Sequence, residues 1–241
     1  VISTDHFYNL DEYLNDNDLL VFNNTKVVHA RLIFNKPTGA KIEIFCLEPE
    51  QPSDYQESFT SNQSVVWRCL IGNARKWKNE TLDKQIIHNS NDKITLEVKK
   101  LGIKNDSFII EFSWNNKKYS FSEIITLFGF TPIPPYLNRE AEKIDSLRYQ
   151  TVYSRNEGSV AAPTAGLHFT KDVIDRLKKK NVEMQELTLH VGAGTFVPVK
   201  TRNAVEHNMH IETFYVKKDL LYLLARNKKR IIAIGTTSCR T

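Results

Sequence analysis

At 241 residues and 41% hydrophobic content, the chain is long and apolar enough for a globular protein of one or two domains. No apolar run approaches the ~18–20 residues that cross a membrane, no signal-peptide pattern opens the chain, and Cys46, Cys69 and Cys239 lack the pairing of a zinc or disulfide framework; a cytoplasmic, reducing location is expected. The net charge of +5 modestly favours a polyanionic partner, although its densest clusters, at residues 178–180, 217–218 and 228–230, also suit helix ends and solvated faces.

Residues 1–25 hold a polar opening, a weakly amphipathic run at 10–14, and then DLLVFN. Asp18–Asn23 is a short apolar run bounded by turn formers, which predicts a buried strand. NNTKVVHAR then predicts a turn at Asn24 and Thr25 and a second strand through Val27, Val28 and Ala30 that ends on Arg31. Asn24, Thr25 and Arg31 are minor substrate-binding candidates.

From residue 32 to about 120, short β-rich runs recur at 41–47, 65–71, 94–98, 108–114 and 117–121. Polar connectors without helical period, such as EPEQPSDYQESFTSNQS, separate them and predict a small antiparallel barrel or sandwich. Its expected job is scaffolding or contact with a large partner. Ser122 can cap a short helix that Gly129 ends, and the Pro-rich stretch 131–136 marks a return to the first domain. An extended aromatic segment at 149–153 follows. Arg148, Tyr149 and Tyr153 would suit phosphate and base if nucleic acid docks there; the plainer reading is two tyrosines on a half-buried strand.

The last third alternates helix and strand. Thr170 caps an amphipathic helix to 180 with Val173, Ile174 and Leu177 on one face. A strand at 182–191, a helix at 217–229 carrying Leu220, Leu221 and Leu224, and a buried strand at 231–234 complete the pattern. This is an α/β domain with a parallel or mixed sheet, formed by residues 1–31 and 131–241, plus an inserted small antiparallel β-barrel domain at 32–130. Ligands of such sheets bind beyond the carboxyl ends of the strands.

Three loops concentrate small residues at that edge: SVAAPTAGLHFT at 159–170, LTLHVGAGTF at 187–196 and IGTTSCRT at 234–241, the last read as a loop after a strand. Small residues let backbone approach a ligand. Gly192-Ala193-Gly194 lacks the third glycine and immediate helix of a dinucleotide fingerprint. EHNMHIE sets His207 and His210 three apart with Glu212 nearby; metal binding would need another converging ligand, and surface histidines in a polar connector are commoner. His168, His190, His207 and His210 together are candidates for general acid and base. The opening at Val1 and the end on GTTSCRT lead us to expect further sequence, at least on the C-terminal side.

DLLVFNNTKVVHAR, KPTGAKIEI, PIPPYL, RYQTVYSR, GSVAAPTAGLHFT, LTLHVGAGTFVPV, EHNMHIE and IGTTSCRT run in the order found in one family. On them the chain resembles the S-adenosylmethionine:tRNA ribosyltransferase-isomerases of queuosine synthesis. The resemblance implies transfer and isomerisation of the ribosyl part of S-adenosylmethionine onto an aminomethyl-deazaguanine base in the tRNA anticodon, giving epoxyqueuosine with release of adenine and methionine. It implies the anticodon region of queuosine-type tRNAs and S-adenosylmethionine as partners, no metal or redox cofactor beyond that co-substrate, no membrane, and a monomer.

Laid against that chemistry, the four histidines and Glu212 are the catalytic candidates. Thr164, Gly166, Leu167, Gly192, Gly194 and Thr195 would shape the nucleoside pocket. Thr236, Thr237, Ser238 and Arg240 would bind the methionine carboxylate or a phosphate, and Arg148 and Tyr149 the tRNA. Two positions depart from the family pattern: Asn24 stands where an aspartate is expected, and Cys239 where an aliphatic residue is commoner. The alternatives to this reading are an S-adenosylmethionine-dependent RNA methyltransferase and a non-catalytic tRNA-binding protein.

Overall fold

The computed structural model describes residues 2–89, 92–196, 202, 203, 205, 212–226 and 228–241. Its strands are β1 (Asp18–Asn23), β2 (Thr25–Val27), β3 (Arg31–Asn35), β4 (Lys41–Gln51), β5 (Ser64–Gly72), β6 (Leu82–His88), β7 (Asp92–Lys104), β8 (Ser107–Trp114), β9 (Gly129–Phe130), β10 (Asn156–Ser159), β11 (Glu183–Leu189), β12 (Phe214–Tyr215) and β13 (Arg230–Ala233). The helices are α1 (Tyr55–Thr60), α2 (Phe121–Phe128), α3 (Asp145–Arg148), α4 (Lys171–Lys179), α5 (Lys218–Arg226) and α6 (Gly235–Arg240). The chain divides into two compact units, Val1–Val27 with Leu147–Thr241, and Val28–Ser146. Residues 28–31 and 131–146, assigned above to the α/β domain, fall in the second unit.

In the first unit the sheet order is β12-β11-β1-β13, with β1 parallel to both β11 and β13, and β12 antiparallel to β11. The sheet is therefore mixed. Alternate residues of β1 feed two cores: Leu20 and Phe22 pack with Phe169 and with Val173 and Leu177 of α4, while Leu19 and Val21 pack with Leu187, Leu189 and Leu220 of α5. Burial on both faces explains why β1 is a continuous apolar run rather than an alternating one. The Thr170 hydroxyl accepts the Val173 N–H at 3.2 Å, and Arg176, Lys178 and Lys179 crowd the last turn of α4, where cations suit the helix dipole.

Several expectations need correction here. The strand predicted through Val27, Val28 and Ala30 is broken: Val27 ends β2, which pairs with β10 in the first unit, residues 28–30 lie in no strand, and Arg31 opens β3, which pairs with β4 in the second. Residues 149–153 are not extended: they follow α3 as turns and bends, and Gln150 exchanges side-chain hydrogen bonds with the Val27 backbone at 3.0 and 2.7 Å. GTTSCRT is not a loop but α6, entered through Gly235 at φ +81°.

The second unit is a seven-stranded antiparallel sheet in the order β6-β7-β8-β5-β4-β3-β9. Trp67, Phe112 and Phe121 meet in its core with ring centroids 5.4 and 5.5 Å from Phe121. Residues 117–121, predicted as strand, are a turn and the start of α2. The cap of that helix is Ser120 rather than Ser122: it forms a capping box with Glu123, which satisfies two end N–H groups at once. The polar connector hides α1, capped by Asp54 and too short to show a helical period. No helix among the described residues is long and apolar enough to cross a membrane.

Candidate functional site

The carboxyl end of β1 is built by side chains imitating a ladder. Asn23, 1% exposed, donates Nδ2 to the Leu189 carbonyl at 3.0 Å, and its Oδ1 accepts the N–H of Leu189 at 3.0 Å and of Thr25 at 3.2 Å. This carries β1 past its last backbone pairing with Leu187 and delivers Thr25 to His190. Thr25 Oγ1 lies 2.6 Å from Ser159 Oγ and 3.0 Å from His190 Nδ1, while Ser159 Oγ accepts the Val191 N–H at 2.8 Å. The two hydroxyls can donate in either sense along this chain, and the sense they take sets whether Nδ1 carries a proton.

His190 is buried, its backbone N–H donates to the Thr213 carbonyl at 3.0 Å, and its ring meets Tyr215 edge-on. Gly158, at φ +149°, leaves room for the imidazole.

Beside it lies a second polar cluster. Asn24 donates Nδ2 to Glu186 at 2.8 Å, and its Oδ1 accepts from Asn156 at 2.9 Å and from the Thr188 hydroxyl at 2.7 Å. Arg155 holds the same Glu186 oxygen as an ion pair. These residues line part of a cleft of about 980 Å³ along β11, together with Tyr215 and Lys217.

The third part gathers the small-residue loops. Thr164–His168 forms a 3-10 turn in which Gly166 faces the Tyr153 hydroxyl; a Cβ there would lie 2.0 Å from it. Tyr153 itself packs on Phe22 and Phe169, and burial, then the charge of Glu186, raises its phenol pKa. Gly235 faces Ala165, so α6 approaches the turn closely. Glu212, whose side chain is 5% exposed, accepts the Gly192 N–H on Oε1 at 2.8 Å. Its Oε2 lies 3.1 Å from Arg240 as an ion pair, outside hydrogen-bonding geometry.

Glu212 Oε2, Thr237 Oγ1 and Ser238 Oγ are buried side-chain oxygens of this unit without a hydrogen-bond partner. Buried polar atoms are normally satisfied, so a group of orphans beside glycine-lined backbone marks a place for a polar ligand.

The structure brings together Thr25 with His190, Glu212 with Gly192 and Arg240, Gly166 with Tyr153, and Ala165 with Gly235 at the start of α6. It does not gather the histidines: His190 is buried, whereas His168 is exposed with its ring 5.3 Å from Phe7. His207 and His210 lie outside the described residues. Thr164, Thr195 and Thr236 are exposed, and Leu167 and Gly194 half-buried. Arg148 is exposed at the end of α3, and Tyr149 is half-buried. Arg31 belongs to the second unit, where Glu43 holds its guanidinium through both carboxylate oxygens. Tyr153 is a packing residue rather than an open stacking face. Among the described residues no cluster of three His, Cys, Asp or Glu could hold a metal ion.

Sequence reasoning missed Asn23, Asn156, Gly158, Ser159, Glu186 and Thr188 as members of these networks. Asn23 carried a signal, a polar side chain closing a fully apolar run; Glu186 and Thr188 carried none, since strand polarity alone does not say what a side chain meets.

A family model described as "Queuosine biosynthesis protein" matches residues 1–241. Among similar proteins, one from Trichlorobacter lovleyi is 37% identical over 98% of this chain and 64% of its own length. One from Natranaerobius thermophilus is 39% identical over 100% of this chain and 65% of its own, and one from Rickettsia bellii is 41% identical over 98% and 65%. All three are named S-adenosylmethionine:tRNA ribosyltransferase-isomerase. The chain thus spans 64% of the length of the first of these relatives. A crystal structure titled S-adenosylmethionine tRNA ribosyltransferase from Thermotoga maritima is 27% identical, covering 97% of this chain and 57% of that one, with a TM-score of 0.31.

Proposed function

Because the chain belongs to the queuosine biosynthesis protein family, we propose that it carries the catalytic part of an S-adenosylmethionine:tRNA ribosyltransferase-isomerase. In this reading the ribosyl group of S-adenosylmethionine is transferred to the aminomethyl-deazaguanine base of a tRNA anticodon and isomerised, giving epoxyqueuosine and releasing adenine and methionine. The observation that carries the site assignment is the set of orphaned buried oxygens around Gly192 and α6, which suits a polar nucleoside co-substrate.

The reaction needs a base for the acidic proton beside the sulfonium and an acid for the departing adenine. We assign proton transfer to His190, because it is buried and its Nδ1 ends a hydrogen-bonded chain of hydroxyls, Thr25 and behind it Ser159, whereas His168 is exposed. Residues 28–146 would serve as the inserted β-barrel domain, with Arg148 and Tyr149 left to meet the tRNA. The enzyme would work in the cytoplasm as a monomer, with no metal or redox cofactor.

The test is to incubate the protein with S-adenosylmethionine and precursor-modified tRNA and assay adenine. Adenine release by the wild type, falling about 10²-fold or more in a folded His190→Ala variant, is expected. S-adenosylhomocysteine instead of adenine would mean a methyltransferase; tRNA binding with no product would mean a binding protein.

A further inference from the structure

The sequence leaves open whether the α6 segment grips a carboxylate or a phosphate. We infer that Glu212, Thr237, Ser238 and Arg240 form a seat for the zwitterionic α-amino-acid end of the co-substrate, an inference that rests on the proposed use of S-adenosylmethionine.

Glu212 has one oxygen already committed, because Oε1 is pinned by the Gly192 N–H at 2.8 Å. The other, Oε2, is buried with no hydrogen-bond donor and faces the Arg240 guanidinium at 3.1 Å. A buried carboxylate oxygen in that condition calls for a donor with positive charge. One turn of α6 supplies the complement: the Thr237 and Ser238 hydroxyls are buried without partners, Ser238 only 7% exposed, and Arg240 follows on the same helix. Hydroxyl and guanidinium donors together suit a carboxylate.

An α-amino acid carries an ammonium and a carboxylate on one carbon, so it can put its ammonium on Glu212 Oε2 and its carboxylate on Ser238, Thr237 and Arg240. Glu212 and Arg240 already cancel in charge, and a zwitterion keeps the seat neutral. A phosphate does not fit, since its charge would be brought against the buried Glu212 carboxylate. The two glycines keep the seat narrow and accessible: Gly192 offers its N–H to Glu212, and Gly235, with no side chain, lets α6 close on Ala165.

The experiment is calorimetric titration of the full chain with two ligands: S-adenosylmethionine, and 5′-deoxy-5′-dimethylsulfonioadenosine, which keeps the sulfonium nucleoside but lacks the amino acid. The wild type should bind S-adenosylmethionine about tenfold or more tightly than the truncated sulfonium. Glu212→Gln retains an acceptor for the Gly192 N–H; it should weaken S-adenosylmethionine about tenfold and leave the truncated ligand within about twofold. Ser238→Ala, a smaller change, should weaken only S-adenosylmethionine, and thermal midpoints check that both variants fold. Equal wild-type affinity for the two ligands, or an equal loss of both in Glu212→Gln, would overturn the seat while leaving the proposed function standing. A wild type that binds neither sulfonium would overturn both.

Discussion

A side chain at position 158 would begin 2.4 Å from Nδ1 of His190, inside any real contact distance. Gly158 also holds φ +149°, which L side chains rarely adopt. The ring and the glycine therefore define each other. Gly158→Ala should cost about 1–3 kcal/mol in stability from strain alone. It should also push the imidazole off Thr25, whose Oγ1 is 3.0 Å from the same nitrogen. Urea midpoints would read the first effect and adenine release the second. A variant with wild-type stability and turnover would show that the close approach does not matter.

The sheet that carries this pair was legible, and the pair was not. Asp18–Asn23 announces a strand buried on both faces because every residue between its end polar groups is apolar. The amphipathic pattern of α4 and its Thr170 cap are equally local signals. His190 was visible as a titratable residue beside a glycine loop. What hid the rest is distance along the chain: Thr25, Ser159 and His190 meet from three separate strands or their ends, and hydrogen bonds spanning 134 and 165 residues leave no mark on spacing. The same limit explains α6, whose six residues are too few to display a helical period before Gly235 turns the chain into them.

Asn24 is a neutral residue in a place that needs one. Its Nδ2 donates to Glu186 Oε2 at 2.8 Å, although the family resemblance anticipates an aspartate there. Asn24→Asp keeps the acceptor for Asn156 and Thr188 but sets a second carboxylate against Glu186, with Arg155 as the remaining counter-charge. The variant should lose about 1–3 kcal/mol at neutral pH. Sharing a proton would raise the folded-state pKa of the carboxylate pair, so the variant is best stabilised at low pH and loses that stability as pH rises. Urea midpoints at about pH 5 and pH 7.5 should therefore bring variant and wild type closer at the lower pH. A gap that does not change with pH would count against this account.

Cys46 and Cys69 sit opposite one another on β4 and β5, both fully buried, while Cys239 is exposed on α6. Burial first, and then a hydrogen bond with Cys46, holds the Cys69 thiol well above its ordinary pKa. Only the thiolate reacts readily, so both buried thiols should be slow. Titration of the native protein with an aromatic disulfide reagent should release one equivalent quickly, and the denatured protein three. Fast release of all three without denaturant would mean that the second unit opens far more easily than its packing implies.

Asp18 fastens the first residue of β1 to the first residue of β13. Arg230 donates Nε to Oδ1 at 2.7 Å and Nη2 to Oδ2 at 3.1 Å, and the Asn15 N–H adds a third bond at 2.9 Å. The Arg230 hydrogen bond is the main cause that holds the Asp18 carboxyl below its ordinary range, helped by the Asn15 N–H and the guanidinium charge and opposed by burial. A folded-state pKa below the unfolded one contributes stability above the unfolded pKa, and that contribution disappears as pH falls through the folded value. Asp18→Asn keeps the shape and removes the charge, and should lower stability by about 1–3 kcal/mol at neutral pH. The difference from wild type should shrink steadily below about pH 4, because the wild-type carboxyl is then being protonated as well. Denaturant midpoints of both proteins at about pH 7 and pH 3 provide the measurement; a difference as large at pH 3 as at pH 7 would place the role of Asp18 in its shape rather than in its charge.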